Sequence, residues 1–321
     1  MNPTADVRAC VPLSLYAPTS QQDPALLAEG RDGDRNEPWL EARGSHVEDQ
    51  LAAAATPGCL WLAPMMAIAK KAAAPLAFQT LGGFGVQRGG QDVPAAEWKS
   101  KKARDVVKLL VAAHGRPLTR EQLAEALWPG DPPPLTGNRL SVALSTLRAV
   151  LDPDRRFEPD HFLAAEEGTV RLRLENVVVD VEAFLADAEA ALHAWREERS
   201  EDARTSLEDA ERAYSGDFLP EERHEAWAEP LRDEARGVHV ELARTLAAAS
   251  EGSEAARYQL RILETDPYDE KAHIGLVKAL AQAGEYDEAR RAYATYTARM
   301  SEIGLEPVAF DTLGTTSTWG D

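Results

Sequence analysis

The residues best spaced to do chemistry lie in the stretch "TGNRLSVALSTLRAVLD", Thr136 to Asp152. From Gly137 to Leu151 it holds no acidic residue, in a chain whose formal net charge is −19. At about 100° per residue, Leu140, Ala143, Leu144, Leu147, Val150 and Leu151 fall on one side of a helix and form a core face. Asn138, Ser141, Val142, Ser145, Thr146 and Ala149 fall on the other, with Arg139 and Arg148 on its flanks. The chemistry such a face offers is non-covalent recognition. Short hydrogen-bonding groups and a valine fit a groove, and guanidinium groups suit anionic oxygens. A merely solvated helix would carry Glu or Lys there, and none occurs.

Covalent chemistry has no comparable candidate. The seven histidines are scattered without HExxH or paired metal spacing, and neither a G-x-S-x-G elbow nor a GKS/GKT phosphate loop is present. His224, in "EERHEAW", reads as a surface or interhelix residue, and "EDARTSLEDAER" as a solvated acidic face. Cys10 and Cys59 make no metal or redox spacing. No catalytic residue, metal or cofactor is expected, and the location expected is cytoplasmic.

With 321 residues, 44% hydrophobic and 28% charged, the chain has room for two domains with separate cores. Its bases are mostly Arg and its Ala content is high, as in a high-GC bacterium such as an actinobacterium. Charge is unevenly spread. Acids outnumber Lys plus Arg by 9 to 6 in residues 1–75 and by 32 to 15 in 176–321, whereas residues 76–175 hold 13 acids and 14 bases. The objection that an acidic chain avoids nucleic acid therefore does not apply to its middle.

The elements that must position the recognition face follow from local pattern. Residues 1–75 lack a sustained period and read as a mostly disordered leader without a signal peptide. The uncharged run Leu51 to Ala69 is long enough to weigh as a membrane span. Pro57, Gly58 and Pro64 interrupt it, and a loosely helical leader is the favoured reading. From Leu76, "LAFQTLGGFGVQRGGQDV" alternates around Gly89-Gly90 as short antiparallel strands, and its glycines fit no nucleotide-binding fingerprint. "EWKSKKARDVVKLLVAAHG" gives a helix with Ala103, Val106, Val107, Leu110 and Ala113 inward, ended near Gly115. Lys99, Lys101, Lys102 and Arg104 crowd its start, either as a solvated face or as phosphate contacts. "LTREQLAEALW" begins with a Thr119/Gln122 capping box and points Leu123, Leu127 and Trp128 inward. A Pro-rich loop from Trp128 to Gly137 leads into the acid-free helix.

Beyond it, "FEPDHFLAAEEGTVRLRLENVVVDV" alternates with Val170, Leu172 and Leu174 on one face and Arg171 and Arg173 on the other. Three helices followed by such a hairpin predict a winged helix-turn-helix, whose third helix enters a major groove while the wing touches backbone or minor groove. From Asp180 onward every segment is helical. The last pair, joined at "AGEY" and using Ala279, Ala289 and Tyr293 for close packing, suggests tetratricopeptide-like repeats, with a plain bundle as the alternative. The fold class expected is mainly α with a small α+β part. A winged helix over 76–175 precedes an all-α repeat domain over 176–308 and a flexible tail over 309–321.

The ordered set "LGGFGVQRGGQDV", "KARDVVKLLVAAHGRPLTREQLAEALW", "NRLSVALSTLRAVLD", "VDVEAFL", "YSGDFLP", "EAW" and "GLEP" resembles the Streptomyces antibiotic regulatory proteins. These join an OmpR-type winged helix to a bacterial transcriptional activator domain. The resemblance covers roughly residues 76–308. It implies a transcriptional activator that binds repeated promoter sites on double-stranded DNA as a homo-oligomer, contacts RNA polymerase, and has no membrane partner. Asn138, Arg139, Val142, Ser145 and Thr146 are then expected at base edges, with Lys99, Lys101, Lys102, Arg148, Arg171 and Arg173 at phosphates or in the wing. By the same resemblance the loop containing Pro129, Gly130, Asp131, Pro132, Pro133 and Pro134 contacts polymerase. Its other reading is a rigid connector.

Two features depart from the family pattern. Ser145 and Thr146 replace longer basic side chains, and Glu166-Glu167 places two carboxylates near the wing tip. The first weakens the case for guanine readout; with the second, either Arg171 and Arg173 carry the wing's contact or the wing stays off the DNA, and weak binding by a single protomer, strengthened by neighbours on repeated sites, is expected. A different class of function is a protein-interaction module whose winged helix no longer binds DNA, with the strongly acidic helical segment as its working surface.

Overall fold

The structure, a computed structural model, describes residues 75–313. Cys10, Cys59, the apolar run Leu51 to Ala69 and almost all of the expected leader lie outside the described residues. Three short strands come first: β1 (Leu76–Gln79), β2 (Gly85–Arg88) and β3 (Gln91–Asp92), antiparallel in sequence order and turning at Gly89-Gly90 as expected. Helix α1 (Lys101–Ala112) buries Ala103, Val106, Val107 and Leu110. The two-residue strand β4 (Leu118–Thr119) leads into α2 (Arg120–Leu127), where Thr119 and Gln122 make the expected reciprocal cap. Next come α3 (Pro133–Leu151) and the wing hairpin β5 (Leu163–Glu166) and β6 (Thr169–Leu172), whose sheet runs β4-β6-β5. Among the described residues, no helix is long and apolar enough to cross a membrane.

The helical part comprises α4 (Asp180–Glu197), α5 (Glu201–Ala213), α6 (Glu229–Ala248), α7 (Gly252–Thr265), α8 (Glu270–Gln282) and α9 (Tyr286–Glu302). Each packs on its sequence neighbour, as short connections between helices require. The architecture is thus a winged helix-turn-helix followed by a helical repeat domain.

Several expectations change. The Pro-rich loop is shorter than its composition implies, because α3 begins at Pro133 and takes Pro133, Pro134 and Gly137 into its first turns. Proline is welcome there: the first turn has no use for its missing N–H, and its φ is already helical. A boundary at residue 175 would sever the first sheet. Strand β7 (Val178–Val179) pairs in parallel with β1, giving the order β3-β2-β1-β7, and runs directly into α4. The cores are not separate either. One continuous buried cluster runs from Leu76 and Phe78 through α1 and α3 to Phe184, Phe218, Leu231 and Tyr258. Part of the expected tail is ordered, because the turn Phe310–Leu313 docks, with Leu313 buried against Val277 and Ala289; residues 314–321 lie outside the described residues.

Polar contacts reinforce the apolar join. Asp180, the first residue of α4, accepts from the Thr80 N–H at 2.8 Å, the Thr80 hydroxyl at 2.5 Å and the Leu81 N–H at 3.0 Å. The glycines of "GGFG" serve packing. Gly82 has φ +72° and lies so close to the Ser215 carbonyl that a Cβ would stand 2.7 Å from its oxygen. Lys108, almost fully buried, donates to Glu221 at 3.0 Å and Glu222 at 2.7 Å. His114 sits 2.9 Å from Glu182, whose carboxyl is held above its usual range by burial, against the lowering effect of His114 and with the raising effect of Glu234.

Candidate nucleic-acid interface

Helix α3 buries Leu140, Ala143, Leu144, Leu147, Val150 and Leu151 against the three-helix core. That packing fixes which side faces out. Asn138, Arg139, Ser141, Val142, Ser145 and Ala149 are exposed and Thr146 half-buried, so the residues expected at base edges share one outward surface. Val142, 59% exposed, is the apolar member of that surface. The helix is tied at its far end by Arg88, which donates to the Val150 carbonyl at 2.6 Å and pairs with Glu97 at 2.6 Å. This satisfies a last-turn carbonyl that the helix itself leaves open.

The flanking cations divide by what already holds them. Arg148 lies on the half-buried flank of α3, and among the described residues it forms no ion pair; its Nε has no hydrogen-bond partner there. Lys99 and Lys101 are exposed and likewise form no ion pair among the described residues. Lys102, by contrast, donates to the Leu127 carbonyl at 2.7 Å, lies over the Trp128 ring and stands 3.5 Å from Asp105. It staples α1 to the end of α2. Arg139 pairs with Asp131 at 2.7 Å.

The wing is electrostatically closed. Arg173 donates to the Asp160 carbonyl at 3.0 Å and lies within 3.5 to 3.9 Å of the carboxylates of Glu166, Glu175 and Asp160. Arg171 stands 3.8 Å from Glu175. The hairpin turns at Glu167 (φ 49°) and Gly168 (φ 82°), so Glu166 and Glu167 flank the tip, with the Glu166 carboxylate turned back toward Arg173. Of the two wing arginines, Arg173 has its charge committed to holding the hairpin's base.

Arg120 was not among the residues singled out from sequence. Its guanidinium reaches across from α2 to donate to Ser141 Oγ at 2.7 Å and the Gly137 carbonyl at 3.4 Å, which brings a cation onto the exposed edge of α3. Its position as the first residue of α2, just after the capping Thr119, is the only local signal for this. The partner becomes visible only once α2 crosses α3. Among the described residues no cluster of three or more His, Cys, Asp or Glu could hold a metal ion.

Residues 97–167 match the family described as transcriptional regulatory protein, C terminal, and residues 179–310 match the bacterial transcriptional activator domain. Both are transcriptional-regulator families, not enzymes. The chain is 28% identical over 239 residues to the transcriptional regulatory protein EmbR of Mycobacterium bovis and of Mycobacterium tuberculosis. That match covers 72% of this chain, which spans 60% of the length of these relatives. A solved structure, Mycobacterium tuberculosis EmbR in complex with a low affinity phosphopeptide, shares the fold with a TM-score of 0.60 at 24% identity, over 75% of this chain and 64% of that one.

Proposed function

We propose that this chain, which joins an OmpR-type winged helix to a bacterial transcriptional activator domain as the Streptomyces antibiotic regulatory proteins do, activates transcription by reading promoter DNA through α3. The observation that carries this reading is the acid-free outward face of α3 in a chain of net charge −19. Asn138, Arg139, Val142, Ser145 and Thr146 face the base edges, Val142 against a thymine methyl and Asn138 against an adenine edge. Arg148, Lys99 and Lys101 meet phosphates, and Arg120 joins them. Few free cations make one protomer a weak binder, so side-by-side copies on repeated sites supply the affinity. Residues Trp128 to Pro132 between α2 and α3 are the surface offered to RNA polymerase, and the acidic helical domain serves self-association or regulation.

The test is binding of the purified chain to DNA upstream of its own and neighbouring genes, comparing wild type with Arg139→Ala and Arg148→Ala. Selectivity lost in Arg139→Ala and binding weakened across sequences in Arg148→Ala support the reading. A folded protein that binds no DNA at low salt overturns it in favour of a protein-interaction module. The neutralised Arg173 and the carboxylates of Glu166-Glu167 at the wing are the observation behind that second reading.

A further inference from the structure

Asp131 is the sole acid between α2 and α3, and it faces a residue of the recognition surface rather than solvent alone. Its Oδ2 lies 2.7 Å from Nη1 of Arg139, one turn and a half into α3. The loop turns at Gly130 (φ +79°) and closes with the Asp131 N–H donating to the Trp128 carbonyl at 3.1 Å, and Pro132 follows directly. That turn sets the Asp131 carboxylate beside α3. Arg139 is a long side chain with many rotamers, about half exposed, and among the described residues Asp131 is the partner that selects one of them.

We propose that Asp131 is a positioning residue for base readout: it buttresses Arg139 so that the guanidinium donors it leaves free meet one base pair. A guanidinium has five N–H donors in a rigid fork, and Asp131 occupies only the Nη1 side. The Nε and Nη2 edges remain for a guanine's O6 and N7, the acceptor pair that a fork fits best. The same carboxylate has an opposing effect on affinity, because a negative charge at the edge of α3 repels phosphates. Asp131 therefore trades general affinity for selectivity. It also makes the loop between α2 and α3 part of the reading head, so that whatever touches the loop touches base selection.

This rests on DNA reading by α3, and the experiment separates the two. The full-length chain, as wild type, Asp131→Asn, Asp131→Glu and Arg139→Ala, is used to select from a duplex library randomised through its centre, and affinity for a duplex without the selected site is measured alongside. Arg139→Ala and Asp131→Asn are expected to lose preference at the same base pair, by roughly tenfold. Asp131→Glu should restore part of it, and Asp131→Asn should bind the unselected duplex more tightly than wild type. If Asp131→Asn keeps the preference and only raises affinity for every sequence, Asp131 is a neutralising charge and the buttress is wrong. If Arg139→Ala leaves every preference intact while the wild type selects DNA, Arg139 reads nothing, and the buttress falls although DNA reading stands. A wild type that selects no sequence removes both.

Discussion

Replacing Arg148 with alanine tests which cations face DNA, because the structure separates free charges from committed ones. Among the described residues Lys99, Lys101 and Arg148 have no ion pair, and Arg120 is held only by a hydroxyl and a carbonyl on α3. Four phosphate contacts give a slope of log affinity against log salt of about −3.6, at about −0.9 per contact. Raising salt from about 50 to about 200 mM should then weaken the wild type about 150-fold. Losing Arg148 removes one contact, so the variant's slope should be about −2.7 and its loss over the same range about 40-fold. Arg173→Ala should leave the slope unchanged, since three carboxylates already surround that guanidinium. Fluorescence anisotropy on a labelled operator duplex across a salt series reads all three slopes. A slope lowered by Arg173→Ala and untouched by Arg148→Ala would refute the reasoning, placing the wing rather than the flank of α3 against the backbone.

Three further outcomes follow from the same contacts. Val142→Glu should leave thermal stability within about 0.5 kcal/mol, because the side chain is 59% exposed, yet abolish the gel shift by putting a carboxylate in the middle of the recognition face; retained binding would show that this face does not enter a groove. Phe184→Ala, at a position 1% exposed within the shared core, should cost about 3–5 kcal/mol and lower a single unfolding transition; calorimetry that resolves two transitions, one unmoved, would contradict a continuous core. The Arg236 hydrogen bond holds the Asp217 carboxyl below its usual range, against burial, so its folded pKa lies under its unfolded one. The stability this confers is complete above about pH 4 and lost as pH falls through the folded value. Asp217→Asn should accordingly melt below wild type at neutral pH, with the gap closing in acid; a gap that persists at low pH would remove the ion pair as its cause.

What the sequence discloses is set by range. The six apolar positions of α3 recur with helical period over about three turns, and all six are buried. The Thr119/Gln122 cap and the turn at Gly89-Gly90 are equally local, and both form. Strand β7 is only two residues long, in an apolar run without a turn signal, and its partner β1 lies about a hundred residues earlier. No window of sequence contains that pairing. Consecutive prolines mark both a stiff connector and a favourable helix start, so composition alone extends the loop before α3 beyond its true end at Pro132. Which arginines are free was likewise hidden. Arg148 and Arg173 look alike in composition, and only the folding of β6 beside Asp160 and Glu166 commits one of them.

The continuous core bears on how a regulator without a separate switch domain among its described residues governs its own reading head. Asp180 opens α4, and its carboxylate grips Thr80 and Leu81 just after β1. Strand β1 pairs with β2, and Arg88 at the end of β2 grips the carbonyl of Val150 in the last turn of α3. On the other side, Lys108 of α1 is buried beneath Glu221 and Glu222, which precede α6. A packed interior moves between discrete arrangements rather than bending smoothly. A helical domain joined at both places cannot shift against α1 and β1 without breaking buried, charge-assisted bonds. The orientation of α3 is therefore set jointly by its own three-helix core and by the first helix of the acidic domain, and that domain is anchored to the winged helix through the buried Lys108 and the Asp180 carboxylate rather than left beside it.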